Sequence, residues 1–185
     1  VAGTDSSPAG GLGIGVHHGL LRCGAPNLNP TWMDAQTPSG PVTPRYGSPV
    51  EICALWCGLL EDLAGALTRA GRTADAQTWR DRSKQAADAF VQAFWLPEGY
   101  LADVVRIEGD QRHIDRSIRP NMVLAAALDN APLSTDQRRA IVAVARRELL
   151  TPLGLRTLSP SDPGYRGRYE GGTIGRDEAY HQGTV

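Results

Sequence analysis

With 185 residues the chain is long enough for one domain with its own core, and 41% hydrophobic against 21% charged residues is the balance of a globular protein rather than a disordered one. A formal net charge of -1 creates no field that would draw nucleic acid or an anionic membrane. No apolar stretch approaches the roughly 20 residues of a membrane helix, and no signal-peptide pattern is present, so a cytoplasmic location is expected.

In chain order, residues 1–12, rich in Gly and Ser, read as a flexible N-terminal segment, and residues 13–185 as one domain without a composition break. A Gly- and Pro-rich stretch runs to residue 47. A helix is then expected from about Pro49 to Ala70, with Ser48 as N-cap, Glu51 as capping-box carboxylate, and Ile52, Leu55, Leu59, Leu63 and Leu67 as its inner stripe. Gly71 stops it. A second helix spans about Thr73 to Phe94, with Trp79, Ser83, Ala86, Phe90 and Phe94 facing inward. A short helix follows Pro120 through Met122, Leu124 and Leu128, and a fourth opens on the Ser134/Gln137 capping pair and turns Ile141, Val144, Ala145 and Leu149 inward. The stretches 95–118 and 151–175 read as long loops. The pattern predicts an all-α fold of antiparallel helical hairpins with function in the loops.

Cys23, Cys53 and Cys57 are too few, and odd in number, for a disulfide framework. Cys53 and Cys57 share one helix face but lack further ligands of the right type, so they read as buried thiols, and no metal is expected.

The loops collect aromatics, arginines and carboxylates. Sugars lay their C–H faces on aromatic rings and their hydroxyls against planar Arg, Asp, Glu, Asn and Gln groups, and glycosidic cleavage needs two carboxyl groups. Composition alone does not separate a sugar cleft from other polar clefts. The wording of seven segments does. Pro30-Thr31-Trp32-Met33-Asp34-Ala35, Val42-Thr43-Pro44-Arg45-Tyr46-Gly47, Pro49-Val50-Glu51-Ile52, Ile118-Arg119-Pro120-Asn121, the run Leu150 to Leu158, Tyr165-Arg166-Gly167-Arg168-Tyr169-Glu170-Gly171 and Tyr180-His181-Gln182-Gly183-Thr184-Val185 occur in this order. Over roughly Gly13 to Val185 the chain resembles the catalytic region of glycogen debranching enzymes of the bacterial and archaeal type.

That resemblance implies an amylo-α-1,6-glucosidase, an inverting glycoside hydrolase acting on branch linkages of glycogen or related α-glucans. It implies an (α/α)6 toroid, of which this chain is a part truncated on its C-terminal side. An open apolar flank on such a part would favour self-association or docking of the missing half. No cofactor is implied. The resemblance makes Asp34 the general acid and sets the general base beyond Val185, with Glu170 as the best second carboxylate inside the chain. Substrate-binding residues are expected at Trp32, Arg45, Tyr46, Glu51, Arg119, Asn121, Arg156, Arg168, Tyr169, His181 and Gln182. Departures from the family pattern fall at Cys53, where an Asn is usual, at Cys57-Gly58, at Gly172, at Glu178 and at Gly24-Ala25. They leave open an alternative, a non-catalytic α-glucan-binding or scaffold module.

Overall fold

A computed structural model describes residues 13–28 and 30–184; the N-terminal segment 1–12 lies outside the described residues. Two antiparallel hairpins come first, β1 (Gly15–His17) with β2 (Leu20–Arg22), and β3 (Gln36–Thr37) with β4 (Gly40–Pro41). Next comes β5 (Ser48–Pro49), then the long helices α1 (Val50–Arg69) and α2 (Thr73–Phe94). A second β–α pair of units follows: β6 (Val104–Glu108) and β7 (Gln111–Asp115), then α3 (Asn121–Ala127) and α4 (Thr135–Glu148). The chain closes with β8 (Leu150–Thr151), β9 (Gly154–Leu155) and α5 (Thr173–Ala179).

The fold is therefore mixed α/β, and the all-α expectation is corrected: four small antiparallel sheets accompany five helices among the described residues. The loop expected at 95–118 contains a hairpin, paired Val104↔Asp115 through Glu108↔Gln111. Val104, Val105, Ile107 and Ile114 supply β-branched residues, and Gly109 at φ +60 takes the first turn position that only glycine occupies without cost. Thr37-Pro38-Ser39-Gly40 and Thr151-Pro152-Leu153-Gly154 are two copies of another turn. In each, the Thr hydroxyl donates to the Gly carbonyl (3.2 and 3.0 Å) and accepts from the backbone N–H two residues on.

Helix boundaries follow the sequence closely, but two details differ. Ser48 does not cap α1. It pairs with Val105 in the three-stranded β5-β6-β7 sheet, the Val50 N–H donates to the Asp103 carbonyl at 3.0 Å, and the Glu51 carboxylate is taken by Arg45. The inner face of α1 is also not the leucine stripe. Val50, Cys53, Ala54, Cys57, Leu60 and Ala64 are buried, whereas Leu55 and Leu59 are exposed. Small residues on α1 admit the bulky Phe90 and Phe94 of α2, and dense packing of small against large outweighs the count of leucines. On α2 and α4 the expected Ser83, Ala86, Phe90, Phe94, Ile141, Val144, Ala145 and Leu149 are buried and Trp79 is half-buried, whereas on α3 Met122 is buried and Leu124 exposed. Cys23, Cys53 and Cys57 are free and buried. Burial pushes all three thiols up, Cys57 to about 12, so the nucleophilic thiolate is suppressed.

The Ser134 hydroxyl accepts from the Gln137 N–H at 3.1 Å while the Gln137 side chain accepts from the Ser134 N–H at 2.9 Å, a complete capping box on α4. Ser134→Ala is expected to lower the unfolding free energy by about 1 kcal/mol in urea titrations. The native protein should leave its thiols unmodified by a disulfide reagent until denaturant is added.

Candidate functional site

The segments between helices converge on one buried guanidinium. Arg45 has no exposed surface. Its Nη1 and Nη2 donate to the two Glu51 oxygens at 2.6 and 2.7 Å, and its Nε donates to Asp103 Oδ2 at 2.8 Å. Burial by itself would lower the Arg45 pKa, but the carboxylates of Asp103 and Glu51 outweigh it and hold the group firmly protonated. Asp103 lies just before β6 and also accepts from Asn121 Nδ2 at 2.7 Å. Asn121 is itself buried, and its Oδ1 accepts from the Trp32 indole Nε1 at 2.8 Å. A chain of hydrogen bonds thus runs Arg45–Asp103–Asn121–Trp32.

Trp32-Met33-Asp34 alternates. Met33 is fully buried, with its sulfur 3.5 Å from Asn121 Nδ2, while Trp32 and Asp34 are exposed. This alternation leaves Trp32 and Asp34 at the surface on either side of the buried Met33. Arg45 does not pair with Asp34; both its carboxylate partners are Glu51 and Asp103.

The second arm of the cluster is Arg119, whose Nη1 donates to the carbonyls of His181 (2.6 Å) and Thr157 (3.1 Å), and whose Nη2 donates to Gln182 Oε1 at 3.2 Å. Burial pulls the Arg119 guanidinium below its ordinary value, with Asp103 and Asp115 opposing and Arg45 reinforcing. Gln182 Nε2 in turn donates to Thr43 Oγ1 at 2.8 Å and the Val42 carbonyl at 3.2 Å. The C-terminal segment is so tied to the loop that carries Arg45. Gly183, at φ +133 and packed against the Tyr165 ring, has no room for a Cβ.

His181 follows the last turn of α5 at φ +60, a left-handed position usually given to Gly or Asn. It is buried, its ring stands edge-on to Trp32 at 5.1 Å, and it contacts Tyr180 at 4.0 Å. Burial lowers its pKa, the Asp34 charge opposes that, and Arg119 and Arg45 add to it.

Of the residues expected at the site, Trp32, Arg45, Glu51, Arg119, Asn121, His181 and Gln182 form this one network, with Asp34 at its exposed edge. Tyr46, Arg156, Arg168 and Glu170 lie apart from it, and Tyr169 reaches it only through Tyr180. Tyr46 stacks under the Arg106 guanidinium at 4.6 Å and lines a depression with His17 and Arg22. Arg156 lines another with Leu153 and Tyr165. Arg168 and Glu170 are both exposed, 3.8 Å apart. Tyr169 meets Tyr180 at 6.1 Å. Cys53, at a departure from the family pattern, donates its thiol to the Leu21 carbonyl at 3.2 Å inside the core, so position 53 does not face this surface. Asp103 and Tyr180 were absent from the expected set. The signal for Asp103 is a lone carboxylate in the apolar run Leu101-Ala102-Asp103-Val104-Val105, where burial demands a charged partner.

The family model described as amylo-alpha-1,6-glucosidase matches residues 3–185. The chain belongs to the amylo-alpha-1,6-glucosidase family. The glycogen debranching enzyme of Saccharomyces cerevisiae is 26% identical over 218 aligned residues, covering 94% of this chain and 14% of that relative. The chain thus spans a small part of the relative's length. Among the described residues no group of His, Cys, Asp and Glu is arranged to hold a metal ion, and no helix is long and apolar enough to cross a membrane.

Arg45→Met is expected to cost about 3–5 kcal/mol, because it leaves Glu51 and Asp103 buried without their cation. Thermal and urea unfolding measure it. His181 should titrate by NMR with a midpoint below the usual value of about 6.5. On acidification the unfolded chain takes up that proton first, so the His181 contribution is lost as pH falls below about 6.5, and His181→Gln should flatten that part of the melting-temperature profile.

Proposed function

We propose that this chain is the acid-bearing part of a cytoplasmic glycoside hydrolase that cleaves α-1,6 branch linkages of glycogen or related α-glucans with inversion. The family membership supports a glycoside hydrolase, and one observation carries the residue assignment. Buried Met33 and the Asn121-anchored Trp32 indole fix the segment so that Asp34 projects at the surface beside an aromatic ring. In this reading Asp34 delivers a proton to the leaving glycosidic oxygen while Trp32 supports the sugar. Arg45, Glu51, Asp103, Arg119 and Asn121 are assigned as the brace that orients this segment, because their side chains bond one another and backbone carbonyls, the buried Arg119 Nε excepted.

Inversion requires a second carboxylate on the opposite sugar face, roughly 6.5–9.5 Å from the acid, to activate water. Glu51 and Asp103 are committed to Arg45, and Glu170 stands exposed beside Arg168. We assign the base to a part of the longer enzyme outside this chain. The competing reading, a glucan-binding module without catalysis, shares the aromatic surface and uses Asp34 only to accept from sugar hydroxyls.

Glucose release from a branched limit dextrin tests the assignment. A longer protein carrying the full catalytic region should be active and lose activity by about 10²–10⁴-fold on Asp34→Asn, and the 185-residue chain alone should be slower by a similar factor for want of a base. Activity that survives Asp34→Asn overturns the acid assignment. Robust turnover by the short chain would make Glu170 the first base to mutate.

A further inference from the structure

Arg106, on β6, is held firmly while its donors stay unspent. Its stem crosses Gly47, where a Cβ would collide with the Arg106 Cγ, and its guanidinium lies 4.6 Å from the Tyr46 ring. Among the described residues it makes no hydrogen bond or ion pair, and its Nε is buried without an acceptor. A buried donor left unmet costs stability, and such a group marks a place where water or an ion completes the count. Arg106 walls two openings. The one toward His17 and Arg22 measures about 20 Å³, room for a single water. The other is a cleft of about 550 Å³, within the range of small-molecule sites. Arg119 and His113 line that cleft as well. Because His113 is the cross-strand partner of Arg106, the two side chains stand on the same face of the β6–β7 hairpin.

We infer that this cleft binds the phosphate group of a small organic phosphate monoester, with Arg106 and His113 as its direct contacts. An uncompensated guanidinium is matched best by an oxyanion, and its fork takes two oxygens at once. His113 can donate to a third. A phosphate offers three acceptor oxygens, whereas a carboxylate has two. Arg119 adds positive charge from behind: its Nε, 3.9 Å from Asp103, is another buried donor without an acceptor. The carboxylates nearby are engaged. Asp115 accepts from the Ser117 N–H at 2.9 Å, and exposed Glu108 stands 4.0 Å from His113, where it competes with the ligand. Neither Trp32 nor Asp34 lines the cleft, which separates it from the surface assigned to the sugar. Its volume leaves room for an organic part beside the phosphate.

The experiment is an NMR titration of the chain at low ionic strength with inorganic phosphate, glucose 6-phosphate, glucose and maltotriose, read at the Arg106 Nε–H. Both phosphates should move that resonance, the ester at the lower concentration, and the two neutral sugars should leave it in place. Arg106→Gln should weaken binding of the ester by about tenfold or more, as expected for losing bonds to a charged group. Glu108→Gln should tighten it by removing a like charge. The ester should also raise the melting temperature of the native chain but not that of Arg106→Gln. Arg139→Gln, on the exposed face of α4, is the control for overall charge and should change nothing. If Arg106→Gln does not fold, Arg106→Lys keeps the charge without the fork and should still bind more weakly. Equal weakening by Arg139→Gln, or none by either Arg106 variant, would overturn the site. Equal affinity for inorganic phosphate and the ester would overturn the monoester assignment. A larger response to maltotriose than to either phosphate would give the cleft to the sugar and overturn the proposal.

Discussion

A guanidinium taken fully out of water must have its donors met by acceptors of opposite charge, and Arg45 meets that demand with Glu51 on α1 and Asp103 at the start of β6. The two carboxylates are 52 positions apart in the sequence, so satisfying one side chain pins the first long helix to the central sheet. Arg119 approaches the same Asp103 at 3.9 Å, which brings the cluster to two cations and two anions without excess charge. Fork-shaped Arg groups suit this arrangement, and lysine in either place would leave acceptors unmatched.

From that cluster the order propagates outward in two directions. Through Asp103 and Asn121 it reaches the Trp32 indole and so fixes the segment that presents Asp34. Through Arg119 it reaches the carbonyls of Thr157 and His181 and the Gln182 side chain, which in turn returns to Thr43, two residues before Arg45. The exposed Trp32 and Tyr180 rings therefore sit on loops that are short of regular structure yet held by charge-assisted hydrogen bonds. Loops usually tolerate variation; in these loops the buried ion cluster leaves the backbone little freedom. The cluster's role is geometric more than stabilising, since buried ion pairs recover little beyond their own desolvation cost.

Much of this was legible in the sequence, and the failures have physical causes. The helical period placed α2 at about Thr73 to Phe94, and the Ser134/Gln137 box placed the start of α4, because propensity, period and capping agree there. For α1 the period marked a helix but not its buried face, since the leucines and the small residues repeat at the same spacing and only the bulk of Phe90 and Phe94 decides between them. The hairpin β6–β7 was hidden because Arg106, Glu108, Arg112 and His113 break its apolar pattern, although Gly109-Asp110 carried the turn signal. Most of the network residues were identifiable by their motifs. Their assignment as sugar contacts was not separable from bracing, because Arg45 and Glu51 are read identically in sequence whether they face a ligand or each other. Asp103 required the partner across the fold to be seen.

The buried Arg45–Asp103 pair governs the orientation of the Trp32–Asp34 segment. Hydrogen exchange of the Trp32 indole N–H, compared between the native chain and Asp103→Asn, tests it most directly. The substitution is nearly isosteric but removes the charge that holds Arg45 and Asn121. Indole exchange should be faster by on the order of tenfold, the loss of one charge-assisted hydrogen bond, while amides in the middle of α4 keep their rates. An unchanged indole rate in a folded Asp103→Asn protein, or an equal acceleration across α4, would contradict it.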